Sequence, residues 1–148
     1  MNSILTPVRH WAARCPEKLL FAFLDRGGRI TQSYTYSAFM GRTTDIASHL
    51  RRAHPMPRGS RVLLAYSPGL EMICAFFACV RLGLIPVPVC PAGGQGGQAT
   101  CDRINLIAAD CGASGVLTDK CPVRSAGSDA LRGGAAARPL QGEGVFGL

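Results

Sequence analysis

Lysine is nearly missing from this sequence: Lys18 and Lys120 are the only two among 16 basic residues, the rest being arginine, against nine acidic residues. A net charge of +7 invites an anionic partner. The arginines nevertheless stand singly from Arg9 to Arg138, with only Arg51 and Arg52 adjacent, and no aromatic-interleaved stripe accompanies them. That pattern excludes a nucleic-acid arm and leaves a solvated basic surface, or an interface, as the plainer reading. Closely spaced metal ligands are missing too. Seven cysteines are present, and Cys90, Cys101, Cys111 and Cys121 recur at intervals of ten or eleven, yet no Cys-x-x-Cys or His-x-x-x-His pair occurs. A zinc site is therefore not expected. The opening residues MNSILTPVRHWAARCPEKL have no apolar core of signal-peptide length, so reduced thiols and a cytoplasmic location are the expectation.

No long uninterrupted apolar run exists either. The stretch from Val62 to Val89 comes nearest, with Glu71 and Arg81 as its charges, but Pro68, Gly69, Gly83, Pro86 and Pro88 divide it. A membrane span needs about 20 mostly apolar residues, so a buried strand, helix and strand fit better. Ready-made reaction machinery is also lacking: there is no Gly-Lys-Ser/Thr phosphate loop, no nucleophile elbow and no Gly-x-Gly-x-x-Gly between a strand and a helix. Gly93, Gly94, Gly96 and Gly97 precede a helical segment, but their spacing is that of a flexible connector.

What remains is a globular composition, 47% hydrophobic and 17% charged, at a length suited to one core. Thr6 and Pro7 open a short helix to Arg14. Leu19–Asp25 and RITQSYTY flank Arg26, Gly27 and Gly28 as a hairpin. Ser37 is placed to cap the helix running through FMGRTTDIASHLRRA, in which Phe39, Ile46 and Leu50 share a face. RVLLAYS, a continuous apolar run, reads as a parallel strand covered on both faces. A helix from about Gly69 to Leu82 closes at Gly83, and IPVPV reads as a strand whose prolines put it near an edge. CDRINLIAADCG is a further helix and SGVLTD a further strand. The order strand, helix, strand, helix, strand predicts an α/β fold with an open, mostly parallel sheet, flanking helices and an N-terminal hairpin. Residues 1–119 form this unit. The segment 120–148 shows no period and reads as a Gly/Ala/Arg-rich linker or disordered tail, or as a truncated or misread end.

Candidate chemistry is sparse. His10 and His49 lie within helices, and His54 at a helix end beside Pro55, where a cation is mildly favourable; all three read as structural. Asp102 and Asp110 read as a solvated helix face. Tyr66, Ser67 and Pro68 follow the first sheet strand at its carboxyl end, where open α/β sheets place ligands. A structural turn is the plainer reading of that segment.

HWAARCPEK, SYTYSAF, RVLLAYSPGLEMICAFFACVRLGLIPVPV and INLIAADCGASGVLTD, in that order, resemble the opening of the adenylate-forming (AMP-binding) superfamily. YTYSAF is similar to its first core motif and VRLGLIPVPV to its second. AYSPGLEMICAFFACVRLGLIPVPVCP is most like the fatty-acyl-AMP ligases, with acyl-CoA synthetases and peptide-synthetase adenylation domains as alternatives. The resemblance implies the N-terminal part of a ligase that activates a fatty acid with ATP, assisted by magnesium, to acyl-AMP, and then passes the acyl group to CoA or an acyl carrier protein. The phosphate loop, adenine-contacting segment, ribose-binding Asp and catalytic Lys of that family have no counterpart here, and Asp119 and Lys120 do not fill those roles. No catalytic, cofactor-binding or metal residue is therefore assigned in this chain, and it is expected to be inactive alone. Another expectation is a non-catalytic interaction module. An unpaired sheet edge and an apolar face should make the isolated chain poorly soluble.

Overall fold

The computed structural model describes residues 3–89, 98–119 and 145–147, with the side chains of 98–101 and 145–147 left aside. Helix α1 (Leu5–Arg14) leads into an antiparallel hairpin of β1 (Leu19–Leu24) and β2 (Ile30–Thr35). The turn is built by Asp25, whose Oδ1 accepts from the amides of Gly27 and Arg29 at 2.8 and 2.9 Å, while Gly28 takes the positive φ of 78° that the turn requires.

Helix α2 (Tyr36–Ala53) follows without a loop. The sequence places its cap at Ser37. In the structure the cap is Thr35, which accepts from the Ala38 amide at 3.2 Å, and the Ser37 hydroxyl instead donates to Glu17. Helix α1 likewise starts at Leu5, ahead of the expected Thr6, with the Ser3 hydroxyl accepting from the Leu5 amide.

The parallel sheet contains β3 (Arg61–Ala65), β4 (Ile85–Pro88), β5 (Gly115–Thr118) and β6 (Val145–Gly147), ordered β4-β3-β5-β6. Helix α3 (Leu70–Leu82) links β3 to β4 and ends on Gly83 in the left-handed conformation, as its sequence predicts. Helix α4 (Gln98–Cys111) precedes β5. Residues 145–147 pair with β5 as strand β6. Residues 120–144 and 148 lie outside the described residues, as do Cys90 and the glycines 93–97.

Alternation along β3 divides the core. Val62, Leu64 and Tyr66 join Phe39, Ile46, Leu50, Cys74 and Cys79 beneath α2 and α3, whereas Leu63 and Ala65 join Ile104, Ala108 and Val116 beneath α4. Helices thus cover both faces, which is why β3 can be apolar throughout. Phe21, Phe39 and Phe77 meet edge to face at 5.2 and 5.1 Å and fasten the hairpin to α2 and α3.

Strand β4 is an edge, as its prolines predict. The amides of Ile85 and Val89 donate to Ser60 and Leu64 at 2.9 and 3.1 Å, so the intervening positions 86 and 88 face outward. Proline at both leaves that rim without a donor for another strand.

Candidate functional site at the carboxyl end of the sheet

Chain segments converge where β3 and β5 end. After Ala65 the chain turns through Tyr66, Ser67, Pro68 and Gly69 into α3, and the Ser67 amide donates to both Asp119 oxygens at 3.1 and 3.2 Å. Asp119 therefore fastens the end of β5 to the β3–α3 turn and acts as a backbone acceptor. From the hairpin, Gln32 Oε1 accepts from the Leu70 amide at 3.2 Å, satisfying one of the open donors of the helix N-terminus.

Beside that turn lies a polar cluster that the sequence did not disclose. Glu71, in the first turn of α3, accepts from the Tyr34 hydroxyl at 2.6 Å and from Arg42 Nε and Nη2 at 3.0 and 2.6 Å. Hairpin, α2 and α3 thus meet on one carboxylate. Burial pulls the Glu71 carboxyl upward, but its bonds from Arg42 and Tyr34 and the guanidinium charge hold it below the usual carboxylate range. Burial, followed by the bond to Glu71, pushes the Tyr34 hydroxyl up to about 12. The one available signal was Glu71 itself, a lone carboxylate opening an otherwise apolar helix.

Tyr66 points inward, is 5% exposed, and its hydroxyl has no partner among the described residues. Burial, reinforced by Cys79, Glu71 and Asp119, raises it far above the ordinary phenol value, so it stays neutral. The site therefore holds a neutral phenol, a carboxylate committed to an amide and a guanidinium committed to Glu71. This set fixes backbone geometry. Among the described residues it offers no nucleophile with an adjacent base and no cation turned toward the strand ends.

The other sequence candidates are dispersed. His10 stands edge-on to Trp11 at 5.4 Å on α1. His49 and His54 lie 6.1 Å apart at the end of α2. At His54, burial, then the neighbouring His49, lowers the pKa, against the mild pull of the helix C-terminus. Asp102 and Asp110 lie on exposed positions of α4, as expected. Among the described residues, no group of three His, Cys, Asp or Glu side chains could hold a metal ion. Among the same residues no helix is long and apolar enough to cross a membrane. Cys74 and Cys79 are buried free thiols, each pushed up to about 12 by burial.

Comparison with known proteins fits this geometry. The model of the AMP-binding enzyme family matches residues 8–142. Disco-interacting protein 2 of Drosophila melanogaster is 31% identical over 121 residues, covering 81% of this chain and 7% of its own length. The medium-chain-fatty-acid–[acyl-carrier-protein] ligase JamA of Moorena producens is 32% identical over 99 residues, covering 67% of this chain and 16% of its own. The crystal structure of fatty acid AMP ligase from Legionella pneumophila superimposes with a TM-score of 0.64 at 31% identity, over 75% of this chain and 18% of that one. The Klebsiella oxytoca NpsA N-terminal subdomain, at 16% identity and a TM-score of 0.63, shares the fold. The chain thus spans less than a fifth of the Disco-interacting, JamA and Legionella proteins, and from the family match and the shared sheet together it belongs to the AMP-binding, adenylate-forming enzymes, most like the N-terminal part of a fatty-acyl-AMP ligase.

Proposed function

We propose that this chain supplies the opening part of the large domain of an enzyme that activates a fatty acid with ATP to acyl-AMP, for later transfer to CoA or a carrier protein, in the cytoplasm. The observation that carries the reading is the 31% identity, with a TM-score of 0.64, to the Legionella ligase. A second Legionella structure of that kind holds acyl adenylate and pyrophosphate. In the present chain the described residues do not fit the phosphates of ATP or a magnesium ion. Asp119 is the charged group at the strand ends, and Arg42 is neutralised by Glu71. No step of adenylation is therefore assigned to these residues, and the 148-residue polypeptide alone does not form acyl-AMP. Free buried thiols agree with a reducing compartment. The test is pyrophosphate release from purified chain with ATP, magnesium and a fatty acid. None is expected, and release dependent on both substrates would refute the inactivity of the chain alone.

A second reading is a non-catalytic interaction module, favoured by the similarity to Disco-interacting protein 2 over 81% of this chain. Copurification of a protein partner, with no effect of that partner on adenylation, would favour it over the ligase reading.

A further inference from the structure

The amino-terminal edge of the parallel sheet, opposite the end described above, gathers the chain's positive charge. Arg51 and Arg52 occupy the last turn of α2, Arg81 the last turn of α3, Arg58 the loop between α2 and β3, and Arg61 the first position of β3. Main-chain bonds hold these pieces in one rim: Gly59 N donates to Gly83 O at 2.8 Å, Ile85 N to Ser60 O at 2.9 Å, and Ser114 N to Arg61 O at 2.8 Å. The Arg58 guanidinium lies over Gly83, its Cζ 3.0 Å from where a Cβ would stand. Arg81 Nη1 is buried with no partner among the described residues.

Among the described residues, no salt bridge to a carboxylate balances this rim. The ion pair found among the described residues, Arg42–Glu71, belongs to the other end of the sheet, and the described carboxylate nearest along the chain is Asp45, in α2 about two turns before Arg52. The C-termini of α2 and α3 contribute about half a negative charge each, too little to neutralise five guanidiniums. We propose that this arginine rim is a docking surface for an acidic polypeptide. Guanidiniums pair with carboxylates through paired N–H donors, which Arg51, Arg52, Arg58 and Arg61 expose at this rim. A protein surface is favoured over nucleic acid because residues 51–61, which carry four of these arginines, include no Phe, Tyr or Trp on which a base would stack.

The test is fluorescence anisotropy of a labelled glutamate-rich peptide against the 148-residue chain at low salt, in parallel with duplex DNA. The double variant Arg58→Gln/Arg61→Gln is compared with Arg26→Gln/Arg29→Gln, which removes the same charge from the hairpin turn. All four arginines are exposed, and circular dichroism checks that each variant folds. Saturable peptide binding that salt weakens, reduced about fivefold in the rim variant and less than twofold in the hairpin variant, is expected. Equal loss in both variants, absent binding, or tighter binding of DNA than of peptide would overturn the proposal. Should the double variant lose its fold, Arg58→Gln alone is read against Arg26→Gln by the same criterion.

Discussion

Replacing Glu71 with Gln removes the carboxylate charge on which Tyr34 of the hairpin and Arg42 of α2 meet α3. Arg42 and Glu71 keep 37% and 32% of their side chains exposed, so the Coulomb attraction is discounted for solvent screening. An ion pair so placed contributes about 1 kcal/mol or less, and the Tyr34 bond to a charged acceptor adds up to about 1 kcal/mol, giving a cost of roughly 1–2 kcal/mol. For a domain of this size that lowers Tm by about 2–8 °C. Urea unfolding followed by circular dichroism measures it, and a double-mutant cycle with Arg42→Gln should give a coupling of about 0.5–1 kcal/mol. The pH dependence has a definite sign. The Glu71 pKa is depressed in the folded chain, so its contribution is complete above the ordinary carboxyl value of about 4.3 and is lost as pH falls through the folded value. The Tyr34 pKa is raised to about 12, so its contribution is complete below the ordinary phenol value and is lost as pH rises toward 12. In Glu71→Gln the acid-side loss should shrink. A coupling indistinguishable from zero, with an unchanged acid profile, would refute the reasoning.

Gly83→Ala forces a side chain into a left-handed position with φ 76° and against the Arg58 guanidinium, and should cost roughly 1–2 kcal/mol in urea unfolding. Gly41→Ala, within α2 and with nothing within 4 Å of the new Cβ, should instead stabilise by about 0.5–1 kcal/mol. The Thr43 hydroxyl is buried in α2 with no partner among the described residues, so Thr43→Val should stabilise by about 1 kcal/mol in the same assay. Pro86→Ala/Pro88→Ala returns two outward N–H donors to the β4 rim, and light scattering should show faster aggregation than in the unaltered chain.

Much of the fold was legible because local signals agreed with it. The apolar run Arg61–Ser67 could only be a strand covered twice, Gly83 marks a helix end, and prolines at alternate positions of IPVPV announce an edge. The cap of α2 was misplaced because YTYS offers hydroxyls at both 35 and 37, and the hairpin, holding Tyr36 N on Lys18 O and Ser37 N on Pro16 O, decides where the helix begins. Strand β6 carries no period of its own and depends on β5 for its partner. At the candidate site, sequence order located the turn at Tyr66–Pro68 by the general rule for open sheets. It could not reveal that Asp119 holds the Ser67 amide across 52 positions, or that Tyr34 and Arg42 reach Glu71 across 37 and 29. Such bonds follow from tertiary packing, which a linear pattern does not encode.

The most direct test of the ligase assignment is a chimera in which residues 8–142 of this chain replace the matching opening segment of the Legionella fatty acid AMP ligase. Formation of acyl-AMP from ATP and a fatty acid is the expected result. A folded, soluble chimera that binds ATP yet makes no acyl-AMP would contradict the claim that this chain can serve as the opening part of such an enzyme.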